Sequence, residues 1–62
     1  MRARIRFTNG DTFLCTIDSL YEFDKVINKA IKKKRNVYIL SNDRTDAIIN
    51  PNYIVMINQE KE

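Results

Sequence analysis

The sequence of 62 residues has no histidine and no tryptophan, and it contains one cysteine, one glycine and one proline. Because Cys15 is the only cysteine, an internal disulfide is excluded, as is every zinc site built from two or more Cys or His ligands. No segment approaches the ~20 apolar residues of a membrane span, and the first residues lack the apolar run of a signal peptide. We therefore expect a cytoplasmic protein without membrane contact, metal or other cofactor.

The side chains needed for catalysis are equally scarce. There is no Ser or Cys beside a plausible base, no Gly-rich phosphate loop and no nucleotide-binding fingerprint. Cys15 alternates with Phe13 and Ile17, which is typical of a small buried hydrophobe. The carboxylates lie where turns and the first turn of a helix commonly carry acids: Asp11, Asp18, Glu22, Asp24, Asp43 and Asp46. We therefore expect no enzyme activity.

The composition, with 44% hydrophobic and 31% charged residues, is that of a folded chain. We expect one domain over residues 1–62, with 59–62 as a frayed polar tail. A core of this size rarely supplies more than about 3 to 5 kcal/mol, and small domains usually add disulfides, a metal or oligomerisation. The first two are excluded or unexpected here, so we predict a homo-oligomer. The net charge of +3 is too small to require a polyanionic partner.

Two alternating runs separated by Asn9-Gly10 predict a β-hairpin at the start of the chain. A two-residue loop would mix polar and apolar side chains on both faces. A three-residue loop, with Gly10 in the left-handed position of a G1 bulge, instead pairs Ile5 with Phe13 and Ala3 with Cys15. One face is then wholly apolar. The opposite face carries Arg2, Arg4, Arg6, Thr12, Leu14 and Thr16.

A helix is predicted after this hairpin, because Ser19 and Glu22 have the spacing of a capping box. Apolar residues then recur at spacings of three and four and form one stripe. The stripe comprises Leu20, Phe23, Ile27, Ala30 and Ile31, with Val26 beside it. We expect the helix to end near Lys34 or Arg35.

A second hairpin is predicted from Val37 to Leu40 and from Thr45 to Ile49, around the turn residues 41–44. Pairing Ile39 with Ala47 and Val37 with Ile49 keeps the apolar side chains on one face. The hairpin therefore has one face suited to the core.

The last strand is predicted from Tyr53 to Ile57, because Pro51 and its neighbours interrupt the preceding ladder. The order β-β-α-β-β-β indicates an α+β fold, in which one helix packs on a small antiparallel sheet of four to five strands. The alternative is a sheet that curls towards a small barrel. The strand layout, with an early Asn-Gly hairpin and a short strand after a proline corner, resembles SH3-like and Sm-like barrels. The central helix departs from that pattern.

Two groups of basic residues are candidate sites for a partner or an anion. Three arginines, about 7 Å apart, share a face of the first strand: Arg2, Arg4 and Arg6. This row has three interpretations: protection of an edge strand, a phosphate-bearing ligand, or an acidic surface on a protein partner.

The densest charge follows the helix: Lys32, Lys33, Lys34 and Arg35. This run suits a nucleic-acid backbone, but it is also typical of a last helical turn, where cations complement the macrodipole.

The second hairpin and the last strand are apolar on both faces. If Tyr53, Val55 and Ile57 meet the helix, five apolar residues remain on the reverse side: Tyr38, Leu40, Ile48, Ile54 and Met56. One helix cannot cover that second face, and an exposed apolar patch marks an interaction site. We therefore predict an oligomer interface at these five residues.

Taken together, these patterns predict a small non-enzymatic binding or regulatory protein that self-associates and binds a macromolecular partner through its sheet. Its size and its Ile-, Lys- and Asn-rich composition suit a phage or plasmid accessory protein that modulates a host factor. We favour a protein partner over nucleic acid. One alternative is a nucleic-acid-binding module that uses the basic strand face and the basic helix end. A second alternative is an oligomeric sponge for small anions or nucleotides.

Overall fold

The computed structural model describes residues 1–41 and 44–60. It contains five strands and one helix: β1 (Arg2–Phe7), β2 (Thr12–Thr16), α1 (Leu20–Lys32), β3 (Val37–Ser41), β4 (Arg44–Ile49) and β5 (Ile54–Gln59), with a 3₁₀ turn (Pro51–Tyr53) before β5. The predicted α+β fold and its element order are confirmed. The turn residues Asn42 and Asp43 and the tail residues Lys61 and Glu62 lie outside the described residues. No helix in the described ranges is long and apolar enough to cross a membrane.

The strands form two antiparallel sheets, where the sequence predicted a single sheet. One sheet has the order β2-β1-β5 and the other contains β3 and β4. The 3₁₀ turn is the physical reason, because it redirects the chain after β4 so that β5 pairs with β1. The Asn50 side chain accepts a hydrogen bond from the Asn52 backbone N–H at 3.0 Å and holds this turn. The described strands do not close into a barrel.

The first hairpin has the predicted register, in which Ile5 pairs with Phe13 and Ala3 with Cys15. Its loop has the predicted three residues. The Gly10 N–H donates to the Phe7 carbonyl at 3.0 Å, and the Phe7 N–H donates to the Asp11 carbonyl at 2.9 Å. Gly10 adopts a φ of 92°, a conformation that is accessible to glycine without steric cost.

Helix α1 begins as predicted, because the Ser19 hydroxyl accepts a hydrogen bond from the Glu22 backbone N–H at 3.0 Å. The helix ends at Lys32, slightly earlier than expected. Lys34 turns into the left-handed region with a φ of 56°, and the Arg35 N–H donates to the Ala30 carbonyl at 2.8 Å. This is a Schellman ending, which satisfies carbonyls that the last helical turn would otherwise leave unpaired.

One hydrophobic core joins both sheets and the helix. Its buried members are Ala3, Ile5, Cys15, Ile17, Phe23, Ile27, Ala30, Val37 and Ile49. From the predicted helical stripe, Val26 and Ile31 are instead exposed. The buried stripe of α1 is therefore narrower than the sequence pattern.

The second hairpin has the predicted pairing of Ile39 with Ala47 and of Val37 with Ile49. Its register shifts between Ile39 and Leu40, so that Leu40 lies opposite Thr45. The β4 strand therefore contains one extra residue near the hairpin tip.

The face assignment predicted for the last strand is correct for Ile57 and Met56 but wrong for Ile54 and Val55. Ile54 packs against the core, while Val55 is 58% exposed. The cause is a β-bulge: Arg6 pairs with Met56 and Phe7 pairs with Ile54, which leaves Val55 as the extra residue. The bulge interrupts the two-residue alternation on which the prediction depended.

The predicted bounds of this strand also differ from those observed. Tyr53 belongs to the 3₁₀ turn and is exposed, so it does not meet the helix. At the other end, β5 continues through Gln59, and the Glu60 N–H donates to the Arg2 carbonyl at 2.9 Å. Gln59 and Glu60 are therefore bonded to β1 and do not belong to the frayed tail that the sequence predicted.

Candidate functional site

The outer face of the β3–β4 sheet carries an apolar patch, defined as Tyr38, Leu40 and Ile48. Their exposed fractions are 58%, 66% and 61%, respectively. Tyr38 and Ile48 are direct cross-strand partners, so their side chains lie side by side on one face. The neighbouring residues in each strand, including Val37 and Ile49, point into the core. The patch therefore lies on the outer face of the sheet, where Thr45, the partner of Leu40, is its polar neighbour.

The structure does not bring all five predicted interface residues together. Ile54 belongs to the core side of β5. Met56 is half-exposed, but it lies on the other sheet, opposite Arg6. The candidate interface is therefore the apolar patch of three residues.

The β3–β4 sheet has only two strands in the described part of the chain. A two-stranded sheet with one solvated apolar face is marginally stable by itself. The β3 strand has no charged residue, although charged side chains commonly protect strands with unpaired edges. In β4, Arg44 and Asp46 bond to each other at 3.1 Å. This hairpin therefore combines exposed apolar side chains with strand edges that no described strand pairs.

The arginine row, defined as Arg2, Arg4 and Arg6, lies on the outer face of the three-stranded sheet. All three residues are exposed. Strand β1, which carries them, is the central strand between β2 and β5. The interpretation that they protect a sheet edge is therefore wrong, because β1 has no free edge. The interpretations based on an anionic partner remain.

One of these arginines already has an acidic partner. The Arg4 guanidinium forms a salt bridge with the Glu60 carboxylate. Among residues 1–41 and 44–60, no carboxylate forms a salt bridge with Arg2 or Arg6. Within the described part of the chain, the guanidinium groups of Arg2 and Arg6 are therefore without an acidic partner.

The neighbours of the arginine row are uncharged on the β2 side. On β2, Thr16 lies opposite Arg2, Leu14 lies opposite Arg4 and Thr12 lies opposite Arg6. Within the described residues, neither strand beside β1 adds an aromatic ring to this face, since Phe13 points to the core side. The surface combines positive charge with short hydroxyl and apolar side chains.

The basic helix end lies away from the arginine row. Lys32 ends α1, Lys33 caps it, and Lys34 and Arg35 form the left-handed turn that follows. The helix packs on the inner face of the three-stranded sheet, through the core that contains Ile5 and its neighbours. The arginine row points to the outer face of that sheet. The two basic groups are therefore separated by the sheet and do not share a face.

Cys15 is the one nucleophile in the core. Desolvation by burial raises the pKa of its thiol, which lowers its reactivity as a thiolate. Among the described residues, no group of three or more His, Cys, Asp or Glu side chains is placed to hold a metal ion.

Glu60 is the functional neighbour that sequence reasoning missed. The predicted polar tail includes Glu60, although an acid directly after a strand that pairs with β1 could be matched to an arginine. The missing information was the pairing of β5 with β1, which brings the two residues together across 56 positions of sequence.

No family model, curated protein or solved structure matches the chain.

Proposed function

We propose that this chain is a small non-enzymatic binding protein that self-associates through the apolar patch and meets a macromolecular partner through its three-stranded sheet. The observation that carries the proposal is the exposure of Tyr38, Leu40 and Ile48 on the outer face of a two-stranded sheet. The buried, unpaired thiol of Cys15 supports a reducing, cytoplasmic setting.

A second copy of the chain suits the apolar patch for an electrostatic reason. A two-fold interface places the same surface on both sides, so the surface must be complementary to itself. The patch has no charged side chain and meets this condition. The arginine row does not, because two copies would face each other with like charges. Contact through the patch would leave the arginine row open to another partner.

Self-association would also relieve the two weaknesses of the β3–β4 hairpin. Burial of its outer face would remove apolar surface from water, at about 25 cal/mol per Å². It would also give the marginal two-stranded sheet a packed layer on each side. For a chain of 62 residues with no disulfide, subunit contact would enlarge a small core.

Sedimentation equilibrium from micromolar to submillimolar concentration tests this proposal. The wild-type chain should be an oligomer. Ile48→Lys should convert it to a folded monomer, because a buried lysine in an apolar interface is costly. Val55→Lys is the matched control, since Val55 is similarly exposed, at 58% against 61%, but lies on the other sheet.

The result that contradicts the proposal is a wild-type monomer throughout that range. Equal dissociation of the oligomer by Val55→Lys and by Ile48→Lys would also contradict it. Circular dichroism of each variant establishes that loss of association is not loss of fold.

A further inference from the structure

The free edge of β2 has an identifiable set of unpaired backbone groups. Met1 and Ile17 exchange two hydrogen bonds, with lengths of 3.0 and 2.8 Å. Hydrogen-bonded and non-hydrogen-bonded pairs alternate in an antiparallel ladder. Cys15 and Phe13 therefore direct their N–H and C=O groups towards β1. The residues that alternate with these two direct theirs away from β1: Thr12, Leu14 and Thr16.

This edge has space beside it. Strand β2 is the outer strand of its sheet, and no described strand pairs with its far side. A groove borders each end of β2. One is lined by Thr12 together with Ile48 of β4, and the other by Thr16 together with Tyr38 of β3. The β3–β4 sheet therefore approaches β2 without occupying its edge.

The arginine row lies one strand behind this edge, and the β2 side chain in front of each arginine differs in size. Short threonine side chains lie in front of Arg6 and Arg2. The larger Leu14 lies in front of Arg4, which Glu60 already neutralises. Adjacent strands are about 4.8 Å apart, so a strand added to β2 would lie about 10 Å from β1. A long acidic side chain on that strand and an arginine can meet across a threonine.

We propose that the β2 edge binds an extended segment of a partner protein with the pattern acidic, any residue, apolar, any residue, acidic. The partner strand would extend the sheet through main-chain hydrogen bonds to the outward groups of β2. Its two acids would pair with Arg2 and Arg6, and its central apolar side chain would pack on Leu14. This inference rests on the proposed function only for binding to a partner, and not for self-association.

The surface favours a peptide over nucleic acid. Outward N–H and C=O groups in a row match another peptide backbone. Single-stranded nucleic acid is usually held by bases that stack on aromatic rings, and neither strand beside β1 supplies a ring to this face.

A second copy does not supply the segment. The chain matches the required pattern once, at Asp18, Leu20 and Glu22. Leu20 and Glu22 lie in the first turn of α1, and Asp18 directly precedes its N-cap, so the three are not available as an extended strand.

A short synthetic peptide tests the inference. The probe has seven residues, with threonine at odd positions and Glu, Leu and Glu at the second, fourth and sixth, and with blocked termini. We expect saturable binding in a titration followed by amide chemical shifts, with the shifts centred on β2. N-methylation of the leucine should weaken binding about tenfold, because its N–H faces β2. The matched control is N-methylation of the neighbouring threonine, whose N–H faces away.

Charge variants test the arginine contacts separately. Arg2→Gln with Arg6→Gln removes two positive charges and should weaken peptide binding about tenfold. Lys33→Gln with Lys34→Gln removes the same charge from the helix end and should change the affinity less than twofold.

Three results would overturn the inference: no saturable binding, equal weakening by both charge variants, or equal weakening by both N-methyl peptides. A seven-nucleotide oligothymidine that binds at the arginine row more tightly than the peptide would also overturn it, in favour of nucleic acid. Peptide failure in a chain that still self-associates through the apolar patch would overturn this inference alone.

Discussion

Replacement of Lys34 by glycine should stabilise the fold. Lys34 has a φ of 56° in the Schellman ending of α1. A left-handed conformation costs a residue with a side chain roughly 1–2 kcal/mol, and glycine avoids this cost. Glycine in turn loses about 0.5–1 kcal/mol more backbone entropy on folding. The difference is a net stabilisation of about 0.5–1 kcal/mol.

Thermal unfolding measures this effect directly. For a domain of about 60 residues, 1 kcal/mol shifts the melting temperature by roughly 4–8 °C, so Lys34→Gly should raise it by about 2–8 °C. Lys34→Ala is the first control: it removes the same charge, keeps the left-handed strain, and should give no such gain. Lys33→Gly is the second, because Lys33 has a φ of −90° and gains nothing from glycine. A melting temperature that falls in Lys34→Gly, or rises equally in all three variants, would mean that the left-handed conformation of Lys34 does not cost stability.

Three further variants test other parts of the fold. Ser19→Ala should lower the free energy of unfolding by about 0.5–2 kcal/mol in urea titrations, because the Glu22 N–H loses its acceptor; no change would mean that the helix is capped differently. Ile54→Lys should unfold the chain or leave it much less stable, whereas Met56→Lys should be tolerated, because only Ile54 packs against the core. Circular dichroism measures both effects, and equal tolerance of the two substitutions would contradict the bulge in β5. Burial raises the pKa of the Cys15 thiol, so the folded state favours the neutral thiol; this stabilisation is complete below the ordinary thiol pKa and is lost as pH rises above it. Cys15→Ala should therefore lose less stability than wild type between about pH 8 and about pH 10, and parallel losses would exclude the thiol as a cause.

The parts of the fold that depend on local chemistry could be predicted from the sequence. The register of the first hairpin follows from one requirement, that Ile5, Phe13 and Cys15 share a face, together with the need for glycine at position 10. The start of the helix follows from Ser19, whose hydroxyl is suited to a free N–H three residues later. In both cases the deciding residues are close in sequence.

The parts of the fold that depend on pairing between distant strands could not be predicted from the sequence. Nothing in the residues around Pro51 determines whether the following strand joins β4 or returns to β1. That choice makes β1 a central strand, which changes the meaning of the arginine row. It also creates the bulge at Val55, which moves Ile54 from the predicted interface to the core.

The candidate site shows the same division. Exposure of the apolar patch was predictable, because Tyr38, Leu40 and Ile48 alternate with residues that the core requires. The salt bridge of Arg4 with Glu60 was not, since it exists only because β5 lies beside β1.

Isotope-filtered nuclear Overhauser measurements on mixed labelled and unlabelled chains test whether two copies meet through the apolar patch. They detect only contacts between copies, although Tyr38 and Ile48 are also partners within one chain. Self-association through the apolar patch should give intermolecular contacts from the Ile48 and Leu40 methyl groups to the Tyr38 ring of another copy. Intermolecular contacts confined to other surfaces, or none at submillimolar concentration, would contradict it.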